Sequence, residues 1–344
     1  MNDNSDNFIV ACLVVLFGIP ALLLLLNIYR AGVPTQMGFS WSQCDFIETR
    51  RKTADSITGS NRVVFFGLSN VVVGVRTDVA ASVLQRPVVN MGMNANLTNG
   101  LIYEVLETTL KSGDTLVLIL PYFYFGADTR IEDQFFVVRD YIFDCSPTAY
   151  RRLSAVDFLR LAFAQNPIQV VEGVIRKVQA QTGVNLGRKT LPDFPLFQPA
   201  SNGGAFNASG DWMLNSERMR ASDYRDNVQR TSIGATSGFN KDGDSVLALK
   251  AFLSHASDKG VKLIATWPAA YISNHEGLAQ VAEEIRAFYR ENRVPMVGEP
   301  DDYLYPIDRY FDSANHLTTE AAEIYTREIA EQLRPQLEPP RLPN

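Results

Sequence analysis

The chain has 344 residues and a mass of 38.3 kDa, enough for one large domain or two ordinary ones. Hydrophobic residues at 46% and charged residues at 20% exclude a disordered or collagen-like chain. A net charge of −6 and a pI of about 5.3, with basic runs as short as Arg50-Arg51-Lys52, exclude a broad electrostatic footprint for nucleic acid.

The first element is an uncharged stretch from Phe8 to Tyr29. About 20 apolar residues at about 1.5 Å each match a bilayer core of about 30 Å. No small-x-small cleavage site follows, so residues 1–30 read as an uncleaved transmembrane anchor. Asp3 and Asp6 precede the stretch and Arg30 follows it, a charge count that by itself leaves the body in the cytoplasm. Residues 31–61, with Gly, Pro, Thr and Ser, read as a linker.

Short β-branched runs then alternate with helical patterns, as in a parallel sheet. Strands are expected at 62–66, 87–91, 114–120, 261–267 and 294–297. Helices are expected at 99–111, 245–259, 277–292 and 318–333. The fold class is thus α/β, with a five-stranded parallel sheet flanked by helices over 62–334. Residues 122–244 do not keep the alternation and read as an insertion over the carboxyl ends of the strands, where open α/β sheets bind ligands. Within it, 156–164 and 168–181 look helical, and 186–240 is rich in loop-forming residues. Asp242–Ser245 reads as a turn and helix cap rather than a calcium loop. Residues 335–344 are Pro-rich and read as a disordered tail.

Three regions hold residues suited to acyl chemistry. The first strand runs into Gly67-Leu68-Ser69-Asn70, which can present the Ser69 hydroxyl at the sheet edge with helix N–H groups behind it. The second strand ends in Asn90-Met91-Gly92-Met93-Asn94, where the Gly92 N–H and the Asn94 amide are candidate oxyanion donors. Before the last helix, His316 can accept a serine proton while Asp312, four residues back, orients the ring. Taken singly, the first region also fits an ordinary turn and the last an ordinary helix start.

Further candidates have bland alternatives. Tyr122 and Tyr124, in Tyr122–Phe125, either line an acyl pocket or stack on a sugar, or pack the insertion onto the sheet. His275 is a substrate contact, a reserve base, or a plain loop histidine. His255 sits within a helix and reads as surface. Cys12, Cys44 and Cys145 are too scattered for a zinc site or a disulfide framework.

Nucleophile after strand one, donors after strand two, and base with its orienter in the last loop resemble the SGNH (GDSL-type) hydrolase superfamily. The resemblance is closer to its membrane-anchored branch of polysaccharide O-acetylation and teichoic-acid D-alanylation proteins. It rests on Gly67–Val75, Asn90-Met91-Gly92 and Phe311-Asp312 through His316-Leu317, and covers about 60–122 and 245–334. Leu68 stands where the superfamily has Asp or Ser, no G-x-N-D block follows the third strand, and Asp312 lies one residue further from the histidine than in D-x-x-H.

The resemblance implies a flavodoxin-like sheet and a Ser69–His316–Asp312 triad, with no metal or organic cofactor. It also implies a single-pass protein of the bacterial inner membrane with its globular domain outside the cytoplasm. The implied activity is serine O-acyl transfer, an acetyl group passing to a polysaccharide with a multispanning membrane acyltransferase as partner. Two alternatives stay open: a carbohydrate esterase with the same triad, and a catalytically inactive scaffold subunit of an acylation or export complex. In such a compartment Cys44 and Cys145 would either pair or remain separate thiols.

Overall fold

The structure is a computed structural model that describes residues 17–33, 40–59, 61–95, 97, 99–126, 139, 141–145, 151, 154–165, 167–183, 211–213, 215–232, 238–273 and 275–337. The chain divides into two compact units, residues 1–45 with 131–198, and residues 46–130 with 199–344. In chain order the helices of the first part are α1 (Ile19–Arg30) and α2 (Ser40–Ser56). Next come β1 (Val63–Gly67), α3 (Ser69–Gly74), α4 (Thr77–Leu84), β2 (Val88–Asn90), α5 (Asn99–Thr109), β3 (Thr115–Ile119) and α6 (Tyr122–Gly126). A π-helical turn (Tyr141–Cys145) precedes α7 (Ala155–Phe163), α8 (Pro167–Thr182) and α9 (Tyr224–Arg230). The chain ends with α10 (Asp244–Asp258), β4 (Lys262–Thr266), α11 (Leu278–Glu291), β5 (Met296–Val297) and α12 (Thr319–Leu337).

The second unit holds one parallel sheet in the order β2-β1-β3-β4-β5, the flavodoxin-like arrangement. Every residue of β1 and β3 is buried, so both faces are covered, and their unbroken apolar runs follow from that. Each fully buried Val, Leu, Ile or Phe contributes about 1.5–3 kcal/mol. Helix α11 buries Leu278, Val281, Ala282, Ile285 and Phe288, a three-four spacing that puts one stripe inward. At the amino ends of the strands, Arg62 grips Asp114 through Nε (2.9 Å) and Nη2 (2.5 Å), both side chains wholly buried. This two-pronged ion pair fixes the starts of β1 and β3 against each other.

The expected membrane span is corrected. No helix among the described residues is long and apolar enough to cross a membrane. Helix α1 has 12 residues, about 18 Å of rise, against a hydrocarbon core of about 30 Å. Gly18 and Pro20 lie at its start, and its polar residues turn inward within the first unit. Asn27 donates to the Ala162 carbonyl (3.2 Å), and Arg30 donates to Asn27 (3.0 Å) and to Gln165 (2.9 Å). The single-pass anchor read from hydropathy, and the inner-membrane placement implied by the motif resemblance, do not hold for this helix. Composition measured the run of apolar residues but not the partners that bury Asn27 and Arg30.

Residues read as a linker also contain α2, 17 residues long. The tail reading is corrected at its start, because α12 continues through Pro335 to Leu337, and residues 338–344 lie outside the described set. Helices expected at 156–164 and 168–181 are α7 and α8. Cys145 is disulfide-bonded, while Cys12 and the side chain of Cys44 lie outside the described residues.

Candidate active site

In a sheet of this order the chain leaves β1 toward β2 on one side and returns to β3 on the other. The carboxyl ends of β1 and β3 therefore form the topological switch point. Ser69 opens α3 there, two residues after the end of β1. Asn70, 5% exposed, shapes the turn: its Oδ1 accepts the Leu68 N–H (3.0 Å) and its Nδ2 donates to the Ile119 carbonyl at the end of β3 (3.0 Å). A side chain at Gly67 would collide with that Ile119 carbonyl and with Val71, so only glycine lets the turn sit this close to β3. Leu68 points into the core at 3% exposure, whereas Ser69 is half-buried. The Ser69 hydroxyl makes no hydrogen bond among the described residues.

The second segment packs against α3 from the β2 side. A Cβ on Gly92 would fall 2.5 Å from the Val72 nitrogen and 2.9 Å from the Val71 carbonyl carbon. Asn90 is a buried hub at this junction. Its Nδ2 donates to the Val71 (2.9 Å) and Val75 (3.1 Å) carbonyls, and its Oδ1 accepts from the Gly92 N–H (3.0 Å) and from Arg50 Nη1 (2.5 Å). Arg50 Nη1 also donates to the Asn90 and Gly92 carbonyls, each at 2.9 Å. Burial pulls the Arg50 guanidinium down to about 9, and the negative charge of Asp211 offsets part of that. The group stays cationic at neutral pH. The Gly92 N–H expected to face an oxyanion is thus engaged by Asn90, and Asn94 stands half-buried four residues past the end of the strand.

His316 and Asp312 meet as the spacing predicted. The Tyr310–Leu317 bridge and the Phe311 N–H to His316 carbonyl bond (2.7 Å) close the intervening residues into a tight loop. Across its tip, His316 Nδ1 lies 2.7 Å from Asp312 Oδ1. Closing the loop at these positions is what lets an aspartate four residues back reach the ring. Partial burial alone would raise the Asp312 carboxyl; the hydrogen bond and charge of His316, with help from Ser313, outweigh it and hold the carboxyl below its usual range. An ionised carboxylate only accepts, so Nδ1 carries a proton, and in the neutral imidazole Nε2 is left with a lone pair. Loop and nucleophile helix are neighbours: α3 packs on α12, and Gly74 lies against Leu317.

The aromatic candidates are core residues. Tyr122 is 1% exposed and stacks on Trp267, with ring centroids 6.0 Å apart; Tyr124 is 3% exposed and bonds the Tyr103 hydroxyl (2.5 Å) and the Ser245 carbonyl (3.1 Å). Neither offers a face to a sugar in this structure. The alternative, an aromatic cluster packing on the sheet, matches their surroundings. His275 is exposed in the loop before α11, and His255 is exposed in the last turn of α10. A cleft of about 500 Å³ lined by Arg286, Arg290 and Arg293 borders β5 and holds none of the site residues.

Asn70, Asn90, Arg50 and Asn215 were missed as contributors by sequence reasoning. Arg50 looked like one charge in a short basic run, and nothing in its neighbours signals burial. Asn215 lies in the stretch that composition marks as loops. Only the asparagines flanking Ser69 and Gly92 carried a signal, since a carboxamide beside a tight turn commonly braces it.

No protein-family model matches the chain, and no curated protein sequence matches it. Among solved structures, one described as a lipolytic protein of the G-D-S-L family from Desulfitobacterium hafniense DCB-2 is similar at 10% identity and a TM-score of 0.36, covering 80% of this chain and 100% of that one. Another, described as a platelet activating factor from Streptococcus pneumoniae, is similar at 11% identity and a TM-score of 0.36, covering 86% of this chain and 93% of that one. Scores this low assign neither fold nor activity; the fold rests on the sheet order above.

Proposed function

We propose that the chain is a serine-dependent acyl-transfer enzyme of the SGNH type, acting on O-acyl esters of carbohydrates. The observation that carries this reading is the 2.7 Å bond between Asp312 and His316, in a loop beside the helix that Ser69 opens at the switch point. Ser69 Oγ attacks the acyl carbonyl as His316 Nε2 takes its proton; Asp312 holds the imidazolium that forms. Backbone N–H groups at the start of α3 face the developing oxyanion, with Asn94 as a side-chain donor and Gly92 available only by releasing Asn90. Nε2 then returns the proton to the leaving oxygen. A second hydroxyl, from a sugar in a transferase or from water in an esterase, resolves the acyl-serine and restores Ser69. The preference for an acetyl group and a polysaccharide acceptor rests on the motif resemblance alone, as does any partner supplying the acyl group.

The test is peptide mass spectrometry of the full chain after brief exposure to p-nitrophenyl acetate. The expected result is an acetyl group on Ser69, absent in Ser69→Ala and strongly reduced in His316→Ala. An unmodified Ser69, or labelling that survives His316→Ala unchanged, overturns the triad. Adding acceptor glycans then separates transfer from hydrolysis by where the acetyl group ends.

A further inference from the structure

The segment Asp211–Asn215 belongs to the part of the chain that the motif resemblance leaves out, yet its described residues fasten the elements that carry the nucleophile and the base. At one end Asp211, wholly buried, accepts from the Thr77 N–H (2.9 Å) and hydroxyl (2.7 Å) at the start of α4. At the other end Asn215, 1% exposed, uses its whole carboxamide. One Nδ2 proton goes to the Val73 carbonyl in α3 (3.0 Å) and the other to the Leu317 carbonyl next to His316 (2.8 Å). Its Oδ1 accepts from the Thr319 hydroxyl (2.8 Å), and its own carbonyl accepts from the Thr319 N–H (3.0 Å).

We infer that Asn215 is a positioning residue that sets the spacing between Ser69 and His316. Val73 lies four residues beyond Ser69 in the same short helix, and Leu317 directly follows His316. A single planar amide grips both, so the two elements cannot drift apart without breaking one of its bonds. Only an amide supplies two donors and an acceptor from one rigid group; aspartate has no donor and leucine none of the three. The inference rests on the triad reading, and Asn215 itself touches neither substrate nor reacting atoms.

The experiment compares wild type, Asn215→Leu, Thr319→Val and Tyr303→Phe in the full chain, with p-nitrophenyl acetate as the probe. Thr319→Val removes only the hydroxyl that holds Oδ1. Tyr303→Phe removes a part-buried hydrogen bond to Gln332 away from the site and controls for lost stability. Each variant is assayed well below its melting temperature. The expected result is an acylation rate about 10- to 100-fold lower in Asn215→Leu, with KM little changed, and a smaller loss of the same kind in Thr319→Val. The midpoint of the pH–rate profile stays at the wild-type position, because the His316–Asp312 bond is untouched. Tyr303→Phe keeps the wild-type rate.

Wild-type acylation rates in both site variants overturn the inference while leaving the triad standing. So does a loss that matches Tyr303→Phe, which would mark a purely structural role. If Asn215→Leu does not fold, Thr319→Val decides alone, and an unchanged rate there overturns the inference. Failure of the wild-type chain to acquire a Ser69 adduct instead removes the triad reading beneath it.

Discussion

Gly92→Ala is the most direct perturbation of the contact between the second segment and the nucleophile helix. The added Cβ falls 2.5 Å from the Val72 nitrogen, 2.9 Å from the Val71 carbonyl carbon and 3.1 Å from Val71 Cβ. Carbon contacts settle near 3.5–4.0 Å, so the end of β2 and α3 must part by about 1 Å. All three neighbours are backbone or Cβ atoms, and no change of rotamer moves them. Overpacking of this kind costs about 1–3 kcal/mol. A displacement of about 1 Å in the helix that opens with the nucleophile lowers the rate by about 100-fold.

Gly74→Ala is the matched control, because its Cβ meets nothing nearer than Leu317 Cδ1 at 3.9 Å, an ordinary contact. Urea unfolding and the rate of Ser69 acetylation are measured for both variants. Gly74→Ala is expected to stay within about 0.5 kcal/mol of wild type. A Gly92→Ala protein that matches wild type in both measurements, or a Gly74→Ala protein that suffers more, refutes the packing argument.

Tyr122→Phe removes a buried hydroxyl with no hydrogen-bond partner among the described residues, and calorimetry should find the variant as stable as wild type or up to about 1 kcal/mol more so. Tyr124→Phe strips a hydroxyl that bonds both Tyr103 and Ser245, and the same measurement should find a loss of about 1–2 kcal/mol. Arg50→Met leaves Asn90 Oδ1 with one donor and Asp211 without its cationic neighbour; urea unfolding should record a loss of about 3 kcal/mol, and hydrogen exchange at residues 90–93 should quicken. Because the Asp312 carboxyl titrates lower in the folded chain than when unfolded, its pairing with His316 stabilises the fold above the unfolded value. That contribution disappears as pH falls through the folded, lowered value. In Asp312→Asn the acid end of the stability profile should flatten, by a small amount since Asp312 is 54% exposed to screening solvent.

The parallel sheet was legible because burial on both faces demands unbroken β-branched runs, and those runs are visible at 62–66, 114–120 and 261–267 as letters alone. The same holds for α11, whose three-four stripe is written out in Leu278, Val281, Ala282 and Ile285. The His316–Asp312 pair was legible for a different reason: four residues is a local distance, and the tight loop needs only local bonds to close it. Hydropathy misled at the amino end, where counting apolar residues gave no sign that Asn27 and Arg30 have partners in α7 and just beyond it.

Local order in this sequence thus determined the strands, the helical stripes and the imidazole–carboxylate pair, each set by residues a few positions apart. The tertiary structure decided what packs behind them. Arg50 reaches Asn90 across 40 residues and Asn215 reaches Val73 across 142, separations that leave no periodic trace in the letters. A buried guanidinium or carboxamide is fixed by the carbonyls it must satisfy, and those carbonyls acquire a place only when the sheet has assembled and brought α3 against the end of β2 and, through Asn215, beside the His316 loop.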